Sequence, residues 1–226
     1  MKEHFRIGID GPCGVGKSTV AKMVAARLGI EHLDTGAMYR ALALYAERNG
    51  ICCRDEARVA VLLPEAEVSV HYVDGGQRTL LNGEDVTDSL RTPALSMNAS
   101  AISAHPCARD HMTVLQRRVA AVYPVVMEGR DITTNVLSDS PYKFYLTATE
   151  EERAARRFRE MAARGEDGVT FEDVLRDIRL RDHNDATRAY MPLSLADDAT
   201  MIDTTRMTIE EAVDAVLRSI AEKGRS

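Results

Sequence analysis

A chain of 226 residues, 45% hydrophobic and 28% charged, carries enough apolar side chain for one α/β domain with a sizeable core. Its net charge of −6 and pI of about 5.6 argue against a general binder of nucleic-acid polymers, which needs a basic face. No apolar run approaches the ~20 residues of a membrane span, and too few residues precede the first glycine cluster for a signal-peptide core. Four cysteines (Cys13, Cys52, Cys53, Cys107) show no paired spacing, so reduced thiols in a cytoplasm are expected.

Residues 5–9 form a short β-branched and aromatic run that predicts a buried strand. Gly11-Pro12-Cys13-Gly14-Val15-Gly16-Lys17-Ser18 follows and fits Gly-x-x-x-x-Gly-Lys-[Ser/Thr]. From Thr19 to residue 28 the spacing is helical, with Gly29 as a C-cap. A glycine loop between strand and helix points backbone N–H groups and a helix N-terminus at phosphate oxygens. Gly11 through Thr19 is therefore read as an ATP-phosphate loop. Lys17 reaches the outer phosphates and the Ser18 hydroxyl ligates Mg²⁺. Cys13 reads as a small residue in a crowded turn, or as a thiol activated by the helix N-terminus.

Residues 30–33 predict a second strand, ending in Asp34-Thr35-Gly36, where a second substrate can be met. Helices follow over 37–49, closed by Gly50, and over 55–63, stopped by Pro64. From Glu67 the period becomes alternating, with turns at Asp74-Gly75-Gly76 and Asn82-Gly83, so an antiparallel meander interrupts the βα series. Helical pattern resumes at Thr92-Pro93 and runs, broken near Pro106, to residue 121. Residues 124–127, 142–146 and 200–202 supply three more strands. Thr149–Glu152 reads as a capping box opening a helix to about residue 164. A turn at 165–168 leads to a helix from Thr170 to the 181–188 region, and Thr208-Ile209-Glu210-Glu211 caps the closing helix. Five short strands separated by helices mean a parallel sheet covered on both faces.

Glu128 ends an apolar strand, where an acidic group can support Mg²⁺ through water; the alternative is a surface turn residue. Of the 29 basic residues 24 are Arg, whose planar fork suits phosphate, and nine of them lie between 153 and 188. That segment reads as a closing lid that brings positive charge, Arg157 included, to the transferring phosphoryl group, or as a solvated face laced by Glu. The six histidines lack metal-ligand spacing, and no Asn-Lys-x-Asp guanine reader occurs.

Several ordered motifs stand together: the glycine loop, Leu33-Asp34-Thr35-Gly36-Ala37-Met38-Tyr39-Arg40, Asp85-Val86-Thr87, Arg91-Thr92-Pro93, Asn98-Ala99-Ser100, Pro106 with Arg109, Gly129-Arg130-Asp131, Arg181-Asp182, Asp185, Arg188 and Pro192-Leu193. Over almost its whole length the chain thereby resembles the bacterial cytidylate (CMP) kinases of the P-loop nucleoside monophosphate kinase family. The resemblance implies a three-layer P-loop NTPase fold with a five-stranded parallel sheet, a small antiparallel insertion and a helical lid. It places the core at 1–63, 111–150 and 190–226, the monophosphate-binding insertion at about 64–110, and the lid at about 151–189. It implies transfer of phosphate from ATP to CMP or dCMP with Mg²⁺, by a cytoplasmic monomer. Carried over by position, Ser100, Arg109 and Asp131 meet the cytosine, and Arg40, Arg130 and Arg188 meet phosphate. Arg181 and Asp185 hold the sugar and phosphate end, with Thr35, Gly36 and Tyr39 lining the CMP site. Lys17, Arg130, Arg157 and Arg188 are the expected catalytic set. The chain departs from the family's usual pattern at Cys13, at Glu128 (often Asp) and at Thr133-Thr134 (commonly Gly-Thr). A P-loop kinase for another small acid and a non-catalytic ATP sensor remain the competing readings.

Overall fold

A computed structural model describes residues 5–165 and 168–224; the readings made for residues 1–4 and for the middle of the 165–168 turn lie outside the described residues. In chain order the elements are β1 (Arg6–Asp10), α1 (Lys17–Leu28), β2 (Glu31–Asp34), α2 (Thr35–Arg48), α3 (Glu56–Leu62), β3 (Val68–Val73), β4 (Gly76–Leu81), β5 (Glu84–Asp85), α4 (Pro93–Ile102) and α5 (Pro106–Val122). There follow β6 (Val125–Gly129), β7 (Tyr142–Thr147), α6 (Glu150–Ala163), α7 (Phe171–Thr187), β8 (Thr200–Asp203) and α8 (Ile209–Lys223). Five parallel strands lie in the order β2-β6-β1-β7-β8, and β3-β4-β5 form a separate antiparallel sheet, the meander expected from its two turns. The inner strands are apolar because both their faces are covered: Ile7, Ile9, Val125, Val126, Met127, Phe144 and Leu146 have no exposed surface. Burying such side chains contributes roughly 1.5–3 kcal/mol each.

The chain divides into two compact units, one of Ala25–Glu128 with the stretch up to Arg6, the other of Ile7–Val24 with the chain from Gly129 onward. In the first, β2 pairs with β6 in register Asp34 with Glu128, so both strand ends finish level. Asp74 and Asn82 take positive φ at the two meander turns, as short polar residues tolerate. In the second, β7 pairs with β1 on one side and β8 on the other, and α8 packs on β7 and β8. Ala154, Val174 and Ile178 form a small core between α6 and α7, ringed by Phe158, Met161, Phe171 and Leu175.

One local reading changes. Thr149 accepts from the Glu152 N–H, but the return half of its capping box is absent. The Glu152 carboxylate goes instead to Arg156 and Arg159, and the Thr149 N–H to the Thr205 hydroxyl. α3 ends at Leu62 with Leu63 as its C-cap, just before Pro64 as expected, and the proline itself lies in a following 3₁₀ turn, Leu63–Glu65. The boxes at Thr170 (with Asp173) and Thr208 (with Glu211) are complete.

Candidate active site

The glycine loop joins β1 to α1 in the second unit. Gly11 is required by contact: a Cβ there would stand 2.2 Å from the Leu146 carbonyl oxygen, at a φ of +150°. Lys17 is 6% exposed, and its ammonium donates to the Pro12 carbonyl at 2.7 Å. Ser18 and Thr19 are exposed on the first turn of α1. At the loop's apex both backbone groups of Cys13 are held from outside. Its N–H donates to Asp182 Oδ1 at 3.0 Å and its carbonyl accepts from Arg153 Nη1 at 2.9 Å, while Arg153 and Asp182 pair with each other. An ion pair between α6 and α7 thus fixes the shape of the loop, which nothing in the local sequence announces.

In the same unit the chain leaving β6 carries Arg130 and Asp131. Arg130 Nε donates to Asp185 Oδ2 at 2.7 Å, and Arg188 Nη1 lies 3.6 Å from Asp185 Oδ1. Burial on its own would raise the Asp185 carboxyl, but Arg130, Arg188 and Arg181 outweigh it and hold it below the usual carboxylate range. Arg188 Nη2 stands 4.0 Å from Asp131 Oδ1, and Asn135 Nδ2 donates to Asp131 Oδ2 at 3.2 Å. Met191 takes a φ of +49°, an uncommon conformation for a residue with a Cβ, and its carbonyl accepts from Arg188 Nε at 2.6 Å. Four expected residues, Arg130, Asp131, Asp185 and Arg188, are therefore one cluster. Asn135 and Met191 belong to it and went unread, because an amide and a thioether carry no spacing signal.

Asp10, the last residue of β1, was also missed. Its carboxylate accepts from the Ile132 N–H at 2.9 Å, the Thr133 N–H at 2.7 Å and the Thr133 hydroxyl at 2.7 Å. Complete burial dominates its ionisation and lifts the pKa to about 6, against the pull of those three donors. A carboxylate closing an apolar strand is the same signal that singled out Glu128. The native state holds the Asp10 proton up to about pH 6 while the unfolded chain loses it near 3.8, so its contribution to stability is present below that value and lost as pH rises to about 6. Asp10→Asn should then gain on the parent protein, by up to ~3 kcal/mol, between pH 4 and pH 7. Urea midpoints at the two pH values check this; a constant difference would contradict it.

In the first unit, Asp34 caps α2 by accepting from the Ala37 N–H at 2.9 Å and pairs with Arg40 Nη2 at 2.8 Å. Burial pushes its carboxyl up, but Arg40 and the capping N–H prevail and lower it. Gly36 leaves room for this pair, since a Cβ there would stand 3.0 Å from Asp34 Oδ1 and 3.1 Å from Arg40 Nη1. Gln77 of β4 grips the Asp34 backbone at both ends, accepting its N–H at 2.7 Å and donating to its carbonyl at 3.3 Å. The Thr35 hydroxyl donates to the Glu128 carbonyl at 2.7 Å. Glu128 itself is buried, so the surface-turn alternative fails, and its Oε1 has no hydrogen-bond partner, with His32 Nε2 at 3.4 Å. Arg109, 2% exposed, donates to the Ser103 carbonyl at 3.1 Å, and its guanidinium lies 5.8 Å from the centre of the Tyr39 ring. Ser100 sits half-buried one turn before Ser103 on α4, its carbonyl accepting the Ser103 hydroxyl at 3.0 Å.

A model of the cytidylate kinase family matches residues 7–222. The chain is 44% identical over 215 residues to a cytidylate kinase of Caldicellulosiruptor bescii, covering 95% of each. It is 44% identical over 220 residues to one of Geobacter sulfurreducens, covering 97% of this chain and 94% of the relative. The chain belongs to the cytidylate kinase family. It is thus a nucleoside monophosphate kinase, of a family that phosphorylates CMP with ATP. Among solved structures, an uncharacterised protein from Eubacterium ventriosum aligns with 97% of this chain and 99% of its own at a TM-score of 0.54 and 14% identity, a likeness of fold alone.

Within this family member the arginines between 153 and 188 divide by their partners. Arg153 is buried in the clamp on Cys13, and Arg156 donates to the Thr204 carbonyl and hydroxyl. Arg159, Arg176 and Arg179 form exposed ion pairs with Glu152, Asp173 and Glu150, the solvated-face reading, in which solvent screens the attraction. Arg157, expected in the catalytic set, lies half-buried with Glu160 at 3.5 Å. Arg181 has no hydrogen bond or ion pair among the described residues. Of the three departures, Thr133 has a structural account: its hydroxyl and N–H both serve Asp10. Cys13 is one of four free thiols, held by its backbone alone in the contacts above.

Proposed function

We propose that this chain transfers the γ-phosphoryl group of ATP to CMP and dCMP with Mg²⁺, acting as a single chain in the cytoplasm. The observation that carries the proposal is the cluster of Arg130, Asp131, Asp185 and Arg188 in the unit that holds the phosphate loop. Arg130 and Arg188 are anchored by Asp185, so two guanidiniums stay fixed, and transition-state charge meets groups that need no reorganisation. The acceptor oxygen of a nucleoside monophosphate is already anionic, so no general base is needed and catalysis is alignment plus charge stabilisation. Lys17 serves the donor phosphates, Arg40 the acceptor phosphate, and Ser100, Arg109 and Asp131 the cytosine. Asp131 accepts from the cytosine amino group, whereas uracil would present a carbonyl to it.

Glu128 and Ser18 each carry donor chemistry that suits Mg²⁺. Glu128 offers a buried carboxylate oxygen without a hydrogen-bond partner and Ser18 an exposed hydroxyl, both oxygen donors suited to a hard cation. Ser18 would hold the ion directly and Glu128 through water, and the bound ion would spread the negative charge of the phosphates. ADP release, coupled to a spectrophotometric readout, should be fastest with CMP and dCMP, slow with UMP, and absent with AMP, GMP or shikimate. Turnover of another acceptor in preference to CMP would overturn this reading.

Residues 151–189 are proposed to close over both substrates and exclude water, which prevents simple hydrolysis of the donor. Hydrogen exchange over α6 and α7 should therefore slow when an ATP analogue and CMP are both saturating. Unchanged exchange would leave the paired arginines as a solvated face only.

A further inference from the structure

We infer that Asp10 and Thr133 form a positioning pair that sets acceptor specificity, by fixing the turn that carries Asp131. The inference rests on the cytosine-reading role proposed for Asp131. The turn Ile132–Val136 is a single wide π turn, a form without internal repetition and rare enough to need outside support. Its N-terminal side hangs from one carboxylate. Asp10 takes the N–H groups of Ile132 and Thr133 and the Thr133 hydroxyl, all between 2.7 and 2.9 Å. Asp131 immediately precedes those two N–H groups, and its carbonyl accepts from the N–H groups of Asn135 and Val136 across the turn. A shift of the Asp10 carboxylate is therefore transmitted to the backbone that aims Asp131.

Packing supports the pair. Thr133 is 1% exposed, and its methyl lies against the backbone of β1 where Gly8 has no side chain. A Cβ at Gly8 would come 3.0 Å from Thr133 Cγ2 and 3.3 Å from Ile132 Cγ2. Gly8 thus leaves space that Thr133 occupies, two residues before the carboxylate that Thr133 binds. Holding Asp10 charged and out of water opposes folding, since burial raises its pKa to about 6. The three donors of the turn offset part of that cost, and an apolar residue at position 10 would leave all three without an acceptor. Asp10 also precedes Gly11 directly, so the carboxylate that orders the acceptor turn is covalently continuous with the donor loop.

Thr133→Val keeps the shape, the methyl and the N–H and removes only the hydroxyl. It should raise KM for CMP and narrow the preference for CMP over UMP, each about tenfold, with KM for ATP little changed; the unfolding midpoint should fall as well, because a buried carboxylate loses a donor, so the split between acceptor and donor is the readout. Thr133→Ser, which restores the hydroxyl, should recover both acceptor parameters. Gly8→Ala should give the same acceptor-side defect by crowding Thr133. Adding Thr133→Ser to Gly8→Ala removes the crowded methyl and should recover the preference. Wild-type KM and wild-type CMP:UMP ratio in Thr133→Val would overturn the inference, as would equal losses for ATP and CMP. The parent protein's acceptor profile is read separately: a parent that ignores CMP refutes the proposed substrate and this inference with it, whereas a CMP-specific parent with an indifferent Thr133→Val refutes only the positioning pair.

Discussion

Lys17→Ala should lower kcat by about 10²–10³-fold or more with the fold intact, the scale seen when one preorganised charge-stabilising donor is removed. Lys17 is almost fully buried at the start of α1, with its ammonium on the Pro12 carbonyl of the loop it belongs to. Its charge is therefore already placed at the phosphate loop before donor phosphates arrive, and little reorganisation is needed in the transition state. Losing the side chain leaves the Pro12 carbonyl without that donor, a cost of about 1–3 kcal/mol to stability. Arg153 and Asp182 still grip Cys13, so the loop should keep its shape. Steady-state turnover and a thermal melt separate the two effects. Near-normal kcat with a lowered melting point would assign Lys17 to the loop's structure and remove it from the chemistry.

Much of the fold was legible because local rules and tertiary demands agree in it. The glycine loop could be read from its spacing, and the structure supplies the reason at Gly11, where any side chain would collide with the Leu146 backbone. The meander was readable from Asp74-Gly75 and Asn82-Gly83, because only a few residues accept the positive φ of those turns. Glu128 was visible as a charge at the end of an apolar strand, and it is indeed buried. Asp10 offered the same signal and was passed over because the next residue began a stronger motif. Partners far apart in sequence left no trace: Asp182 reaches Cys13 across 169 positions, and Gln77 reaches Asp34 across 43. Arginine density pointed to charge near a phosphate site, but density cannot tell Arg153, buried in a clamp, from Arg176, exposed beside Asp173. The half-formed box at Thr149 teaches the same lesson. Its motif is local, and the competition for the Glu152 carboxylate is settled by arginines one and two turns along.

Asp131→Asn carries the largest expected effect on specificity. The Asp131 carboxylate is 8% exposed, accepts from Asn135 on one oxygen and lies 4.0 Å from Arg188 on the other. If that charge reads the cytosine amino group, kcat/KM for CMP should fall by about 10²-fold, because a site built on a buried polar contact discriminates by several kcal/mol. UMP should lose less, or gain, since the new amide can donate to the uracil carbonyl that a carboxylate repels. The variant also leaves Arg188 facing a neutral amide, yet Asp185 at 3.6 Å still balances that guanidinium, so the phosphate end should keep most of its geometry. Acceptor discrimination is therefore the decisive readout, and the absolute rate is secondary. Equal losses for CMP and UMP would mean that Asp131 acts by holding Arg188 for the phosphate. In that case the reading of the base would have to come from Ser100 and Arg109 alone, and Asp131 would join Asp185 as an anchor for guanidinium groups.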